Sequence, residues 1–79
     1  TAVSGKTFVI TGSLNHFANR GALKALIESK GGKVAGSVSS KTDYLINNDS
    51  TSTSSKNKKA RELNIPIMTE EEFIEFMGQ

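Results

Sequence analysis

From Lys6 to Thr11 the chain reads Lys-Thr-Phe-Val-Ile-Thr, a short run of apolar and β-branched residues that stops at Gly12. With no polar alternation to turn toward water, such a run predicts a strand covered on both faces, as in parallel sheets. That strand needs partners above and below it, and 79 residues must supply them within one domain spanning 1–79. Packing has to hold the domain together, because the chain has no Cys for disulfides or thiolate metal sites. Its single His cannot form a zinc site without several carboxylates gathered beside it. A large enzyme with its own active-site cleft is excluded by size. No stretch of about 18 apolar residues is present and the start is not signal-like, so a membrane span and a secretory precursor are not expected. The first residue is Thr1, which suggests a piece of a longer protein.

The remaining segments alternate in type. After the loop Ser13 to Asn19, Ala22, Leu23, Leu26 and Ile27 recur at helical spacing, with Asn19 as N-cap and Gly31-Gly32 as stop. Lys33-Val34-Ala35 predicts a second strand and Asp43-Tyr44-Leu45-Ile46 a third. Asn47 to Ser55 is polar and of low complexity, and a mobile loop is expected there. Ser54 or Ser55 caps a second helix from Lys56 to Leu63, and Asn64 suits the left-handed residue that ends it. Ile65-Pro66-Ile67-Met68 predicts a fourth strand, at the sheet edge because Pro66 lacks a donor. Thr69 and Glu72 fit a capping box, Met68 and Phe73 the staple around it, and Phe73, Phe76 and Met77 the buried stripe of a third helix. The resulting plan, βαββαβα, implies an α/β fold: a parallel sheet with right-handed crossovers and helices on both faces.

Charge is distributed unevenly. The net charge is +2, yet residues 1–61 hold all ten basic residues and only three acids, whereas 62–79 hold five Glu and no base. A basic body favours a polyanionic partner, nucleic acid being the usual one, although ordinary solvated charge explains the pattern equally well. The four glutamates of the last helix read as a solvated, dipole-complementing helix start rather than an acid/base cluster. His16 has no Ser or Cys nucleophile signature around it and reads as an exposed loop histidine. The Gly12 loop lacks the spacing of dinucleotide-binding and P-loop motifs, so this piece is not expected to bind NAD or ATP.

Parallel sheets bind ligands beyond the carboxyl ends of their strands, where successive connections diverge. Lys56 shares a helical stripe with Ala60 and Leu63, so its ammonium leans over that edge. The free amides of its helix start, the Thr11 hydroxyl and the unhindered Gly12 amide complete a set of donors for one anion. A simpler reading, in which Lys56 caps a solvated loop and Gly12 only turns the chain, fits the spacing equally well.

Several segments together carry a resemblance: Lys6 to Gly12, Arg20 opening the first helix, Ile27-Glu28, Gly31-Gly32-Lys33-Val34, Ser37-Val38-Ser39, Lys41 to Ile46, Ser55-Lys56 with Lys59-Ala60, and Ile65-Pro66-Ile67. Over nearly its whole length the chain resembles BRCT domains, most closely the C-terminal one of bacterial NAD-dependent DNA ligases. The resemblance implies a four-stranded parallel sheet ordered 2-1-3-4 with three flanking helices, the strands diverging between the first and third. It also implies phosphate ligands at Thr11, Gly12 and Lys56, joined by Arg20 as in DNA-end-binding members. Lys24, Lys58, Lys59 and Arg61 would add diffuse attraction to DNA backbone.

By the same resemblance the domain would be a non-catalytic, DNA-binding module of a ligase acting in replication and repair, and a monomer is expected. It would contact nicks or 5′-phosphorylated ends, and its partners would be DNA and the other ligase domains. It would hold no cofactor or metal itself; NAD and a divalent metal would belong to the catalytic part of the parent. The expected location is the cytoplasm, near the nucleoid and away from membranes. The alternatives are a module that reads phosphoserine or phosphothreonine in a phosphoprotein with the same residues, and an architectural role with the pocket unused. Two departures stand out: Gly21, which costs about 1 kcal/mol relative to Ala in a helix, and the absence of the Trp found in many third helices, a place Phe73 would fill.

Overall fold

The central strand β1 (Thr7–Ile10) has β2 (Lys33–Ala35) on one side and β3 (Tyr44–Ile46) on the other. β4 (Ile67–Met68) lies outside β3, which gives the order β2-β1-β3-β4 with every pair parallel. The helices are α1 (Arg20–Ser29), α2 (Ser55–Glu62) and α3 (Glu70–Met77). This computed structural model describes residues 3–12, 14–48 and 54–78; most of the polar stretch expected to be mobile, 49–53, lies outside them.

Alternation along β1 sorts the helices onto two layers. Phe8 and Ile10 face one side, where Leu23 and Ile27 of α1 and Phe73 of α3 join them with Val3, Ile46 and Met68. Val9 faces the other, with Leu45, Ala60 of α2, Ile65 and Val38. The first layer is aromatic: Phe8 stacks on Tyr44 at 5.5 Å and meets the edge of Phe73 at 5.4 Å, and Phe76 lies 5.1 Å from Tyr44. Phe73 therefore occupies the centre of this layer.

Local chemistry sets the element ends. The Asn19 side chain accepts from the Ala22 amide at 2.9 Å, so α1 begins at Arg20. α1 then gives way to Gly32, where a Cβ would meet Ile27 Cγ2 at 2.7 Å and Val3 Cγ1 at 2.8 Å; only glycine lets these segments come so close. The capping box of α3 is complete: Thr69 Oγ1 accepts from the Glu72 amide and Glu72 Oε1 from the Thr69 amide. Ser54 caps α2.

Three strands are shorter than the sequence pattern predicts. β1 spans Thr7–Ile10 rather than Lys6–Thr11. β3 begins at Tyr44 because Asp43 is occupied as a bracket, its carboxylate accepting from the Thr7 amide at 2.8 Å and its amide donating to the Thr7 carbonyl at 2.8 Å. β4 begins at Ile67 because the Ile65 amide donates back to the Ala60 carbonyl at 2.7 Å, after Asn64 has taken the left-handed conformation (φ 58°). Pro66 then contributes only its carbonyl, which accepts from the Leu45 amide at 3.0 Å.

Neighbouring positions on α3 test this layering, since Phe73 is fully buried and Ile74 is 37% exposed. Phe73→Ala is expected to lower unfolding free energy by about 3–4 kcal/mol and Ile74→Ala by less than about 1 kcal/mol, read by chemical denaturation.

Candidate phosphate-binding cleft

All four strands run the same way, so their carboxyl ends form one edge of the sheet, and over β1 and β2 that edge opens into a cleft of about 200 Å³. Ile10, Val34, Ala35 and Gly36 come from the strand ends, Arg20, Gly21 and Lys24 from the first turns of α1, and Lys56 from the first turn of α2. α1 and α2 pack on opposite faces of the sheet, so the three cations reach the cleft from both sides. Arg20 and Lys24 are one helical turn apart and exposed, and Lys56 is half-buried. Among the described residues no acidic side chain lines the cleft, and none of the three cations is ion-paired with another described residue. The floor is apolar and the rim basic. The cleft has room for several water molecules, and so for a group the size of a small oxyanion; three cations around it make its potential positive.

Thr11 and Gly12 stand beside the cleft and are absent from its lining. The Thr11 amide donates to the Ile46 carbonyl at 3.0 Å and prolongs the sheet ladder. Gly12 has φ +80°, and a Cβ there would meet Asn47 Oδ1 at 2.6 Å. Asn47 in turn donates from Nδ2 to Asn57 Oδ1 at 2.7 Å, and both side chains are buried. The gap between β1 and β3, where the strand connections diverge, therefore holds a buried amide pair, and the cleft opens one strand over. Arg20 and Lys56 come together there with Lys24, whereas Lys58, Lys59 and Arg61 are exposed on α2 outside it.

Sequence reasoning missed the part played by Glu70. The glutamates of α3 read as a solvated helix start, and Glu71, Glu72 and Glu75 are indeed exposed, but Glu70 is fully buried. Its Oε1 accepts from the Asn15 amide and from Asn48 Nδ2; its Oε2 accepts from the His16 amide at 3.0 Å and the Phe17 amide at 3.2 Å. The Glu70 amide donates to Asn48 Oδ1 at 2.8 Å. Burial pushes this carboxyl's pKa upward, but the hydrogen bonds from Asn15, Asn48, His16 and Phe17 outweigh it and hold the pKa below the ordinary 4.5. Helical spacing carried a signal, because Glu70 falls on one stripe with Phe73 and Met77. Asn57 likewise sits three residues before the buried Ala60. His16, exposed as expected, has Nε2 3.5 Å from a Glu71 oxygen.

Sheet order, one helix on one face and two on the other define a small α/β domain of a recognisable kind. The sequence matches the model of the BRCA1 C Terminus (BRCT) domain over residues 2–77, and the chain belongs to the BRCT family. Among curated relatives it is similar to the DNA ligase of Lachnoclostridium phytofermentans, 65% identical over 77 residues, which covers 98% of this chain and 12% of the ligase. The DNA ligase of Ruminiclostridium cellulolyticum is 66% identical over 71 residues, covering 90% and 11%, and that of Desulforamulus reducens 48% identical over 77 residues, covering 98% and 11%. The chain thus spans little more than a tenth of these relatives' length.

Glu70→Gln sets an amide donor against backbone donors, and a stability loss of about 2 kcal/mol or more is expected near neutral pH. Because the folded pKa lies below the unfolded one, the contribution of Glu70 is complete above 4.5 and is lost as pH falls through the folded value. Melts at about pH 7 and about pH 3 are expected to show a shallower acid decline for Glu70→Gln than for wild type.

Proposed function

We propose that this domain is the non-catalytic DNA-binding module of an NAD-dependent DNA ligase, gripping backbone or 5′-terminal phosphate at nicks and ends during replication and repair. One observation carries the reading: Arg20, Lys24 and Lys56 converge on one cleft at the carboxyl edge of the sheet, with no acid lining it among the described residues. The relatives named DNA ligase make DNA the anion of choice. Arg20 supplies a planar fork suited to phosphate oxygens, and Lys24 and Lys56 supply point charges. Thr11 and Gly12 follow Ile10 of the cleft floor directly and extend the donor set along the edge with a hydroxyl and an amide. Lys58, Lys59 and Arg61 draw in the rest of the duplex without reading sequence.

In this reading ligation chemistry, with its NAD and divalent metal, belongs to the other domains of a cytoplasmic parent, and this module brings them to the break. No helix among the described residues is long and apolar enough to cross a membrane.

Titration of the domain against nicked DNA with and without the 5′-phosphate tests the assignment. Tighter binding to the phosphorylated nick is expected, with Arg20→Ala and Lys56→Ala each weakening it about tenfold, or about 1.4 kcal/mol. The slope of log affinity against log salt should become shallower by about 0.9 for each phosphate that a variant no longer neutralises. Equal affinity for both nicks, unmoved by either substitution, contradicts the reading. Binding to phosphopeptides without binding to DNA would reassign the cleft to protein recognition.

A further inference from the structure

The segment between Gly12 and Arg20 must turn the chain from the end of β1 to the start of α1, and its position decides where Arg20 stands. Leu14 and Phe17 anchor it by packing on the core. Its three consecutive amides, Asn15, His16 and Phe17, all donate to the Glu70 carboxylate. These hydrogen bonds are partly buried, and one carboxylate on another element accepts from all three amides at once, which fixes their direction. Asn48 clasps Glu70 from beyond β3, donating to its carboxylate and accepting from its amide, so the acceptor itself cannot swing away. Phe17 is three residues before Arg20, with the capping residue Asn19 between them.

We propose that Glu70 is a positioning residue for the phosphate cleft: it holds Asn15–Phe17 so that α1 opens with Arg20 at the cleft rim, and it acts on DNA affinity through Arg20. This inference rests on the phosphate reading above. A buried anion thereby sets up a site for an external one. It does so from outside the cleft, since Glu70 lines none of it and competes for none of its cations.

The test is a double-mutant cycle on the domain, with binding to 5′-phosphorylated nicked DNA measured below the melting temperature of every variant. Glu70→Gln is expected to weaken binding about tenfold in the wild-type background and less than about twofold in an Arg20→Ala background. In a Lys56→Ala background the full loss should remain. Amide hydrogen exchange of Asn15, His16 and Phe17 should accelerate in Glu70→Gln without DNA present. Should Glu70→Gln not fold, Asn48→Ala, which removes one donor from the carboxylate, is expected to give the same pattern at smaller amplitude. A merely structural role would lower the melting temperature and leave the cycle additive, with equal affinity loss in both backgrounds or none, and either outcome overturns the inference. If Arg20→Ala and Lys56→Ala weaken binding while the Glu70 variant does not, the inference alone fails. If Arg20→Ala and Lys56→Ala are themselves without effect, the phosphate reading fails with it.

Discussion

β1 is apolar on both faces, and its burial governs the arrangement of everything around it. A four-residue strand with Phe8 and Ile10 on one side and Val9 on the other cannot leave either face in water, so α1 and α3 cover one and α2 the other. Parallel pairing on both sides of β1 then brings the carboxyl ends of β1, β2 and β3 to one edge. The helices that follow β1 and β3 start at that edge, with Arg20 and Lys56 in their first turns. The cleft is thus a consequence of the layering: basic residues at two helix starts are delivered to one place from opposite faces.

Polar groups complete what the apolar layers begin. So short a sheet has few ladder bonds, and buried polar side chains add to them at its carboxyl edge: Glu70 holds the amides of Asn15 to Phe17, and Asn47, just after β3, bonds Asn57 of α2. Each is satisfied, and no buried side-chain donor or acceptor among the described residues lacks a partner. In a low-dielectric setting such networks hold one geometry firmly because alternatives leave a donor or acceptor stranded. Both networks lie at the carboxyl edge of the sheet, where Arg20, Lys24 and Lys56 line one cleft.

Local signals in the sequence were strong where a single residue type answers a single backbone need. Asn19 and Thr69 as caps, Asn64 in the left-handed region and Pro66 at the edge strand were all legible, because each solves a problem confined to a few neighbouring residues. Strand lengths were less so: the ends of β3 and β4 depend on Asp43 bonding Thr7 and on Ile65 bonding Ala60, the first of which spans distant parts of the chain. Glu70 was obscured because three consecutive glutamates look alike until one is known to face three amides 53 to 55 residues away in sequence. For the cleft, Lys56 was legible from helical spacing, and Arg20 from the resemblance together with its place beside the buried stripe of α1. Lys24 joins them because it lies one turn along α1, whereas Thr11 and Gly12 stand aside where Asn47 fills the gap between β1 and β3.

The most direct measurement is a map of amide chemical-shift changes as a short 5′-phosphorylated oligonucleotide is added to the isotope-labelled domain. Phosphate seated among the three cations predicts the largest changes at Arg20, Gly21, Lys24, Ala35, Gly36 and Lys56, and much smaller ones when the same oligonucleotide lacks its phosphate. Changes centred on α3, or a map indifferent to the phosphate, would contradict the account.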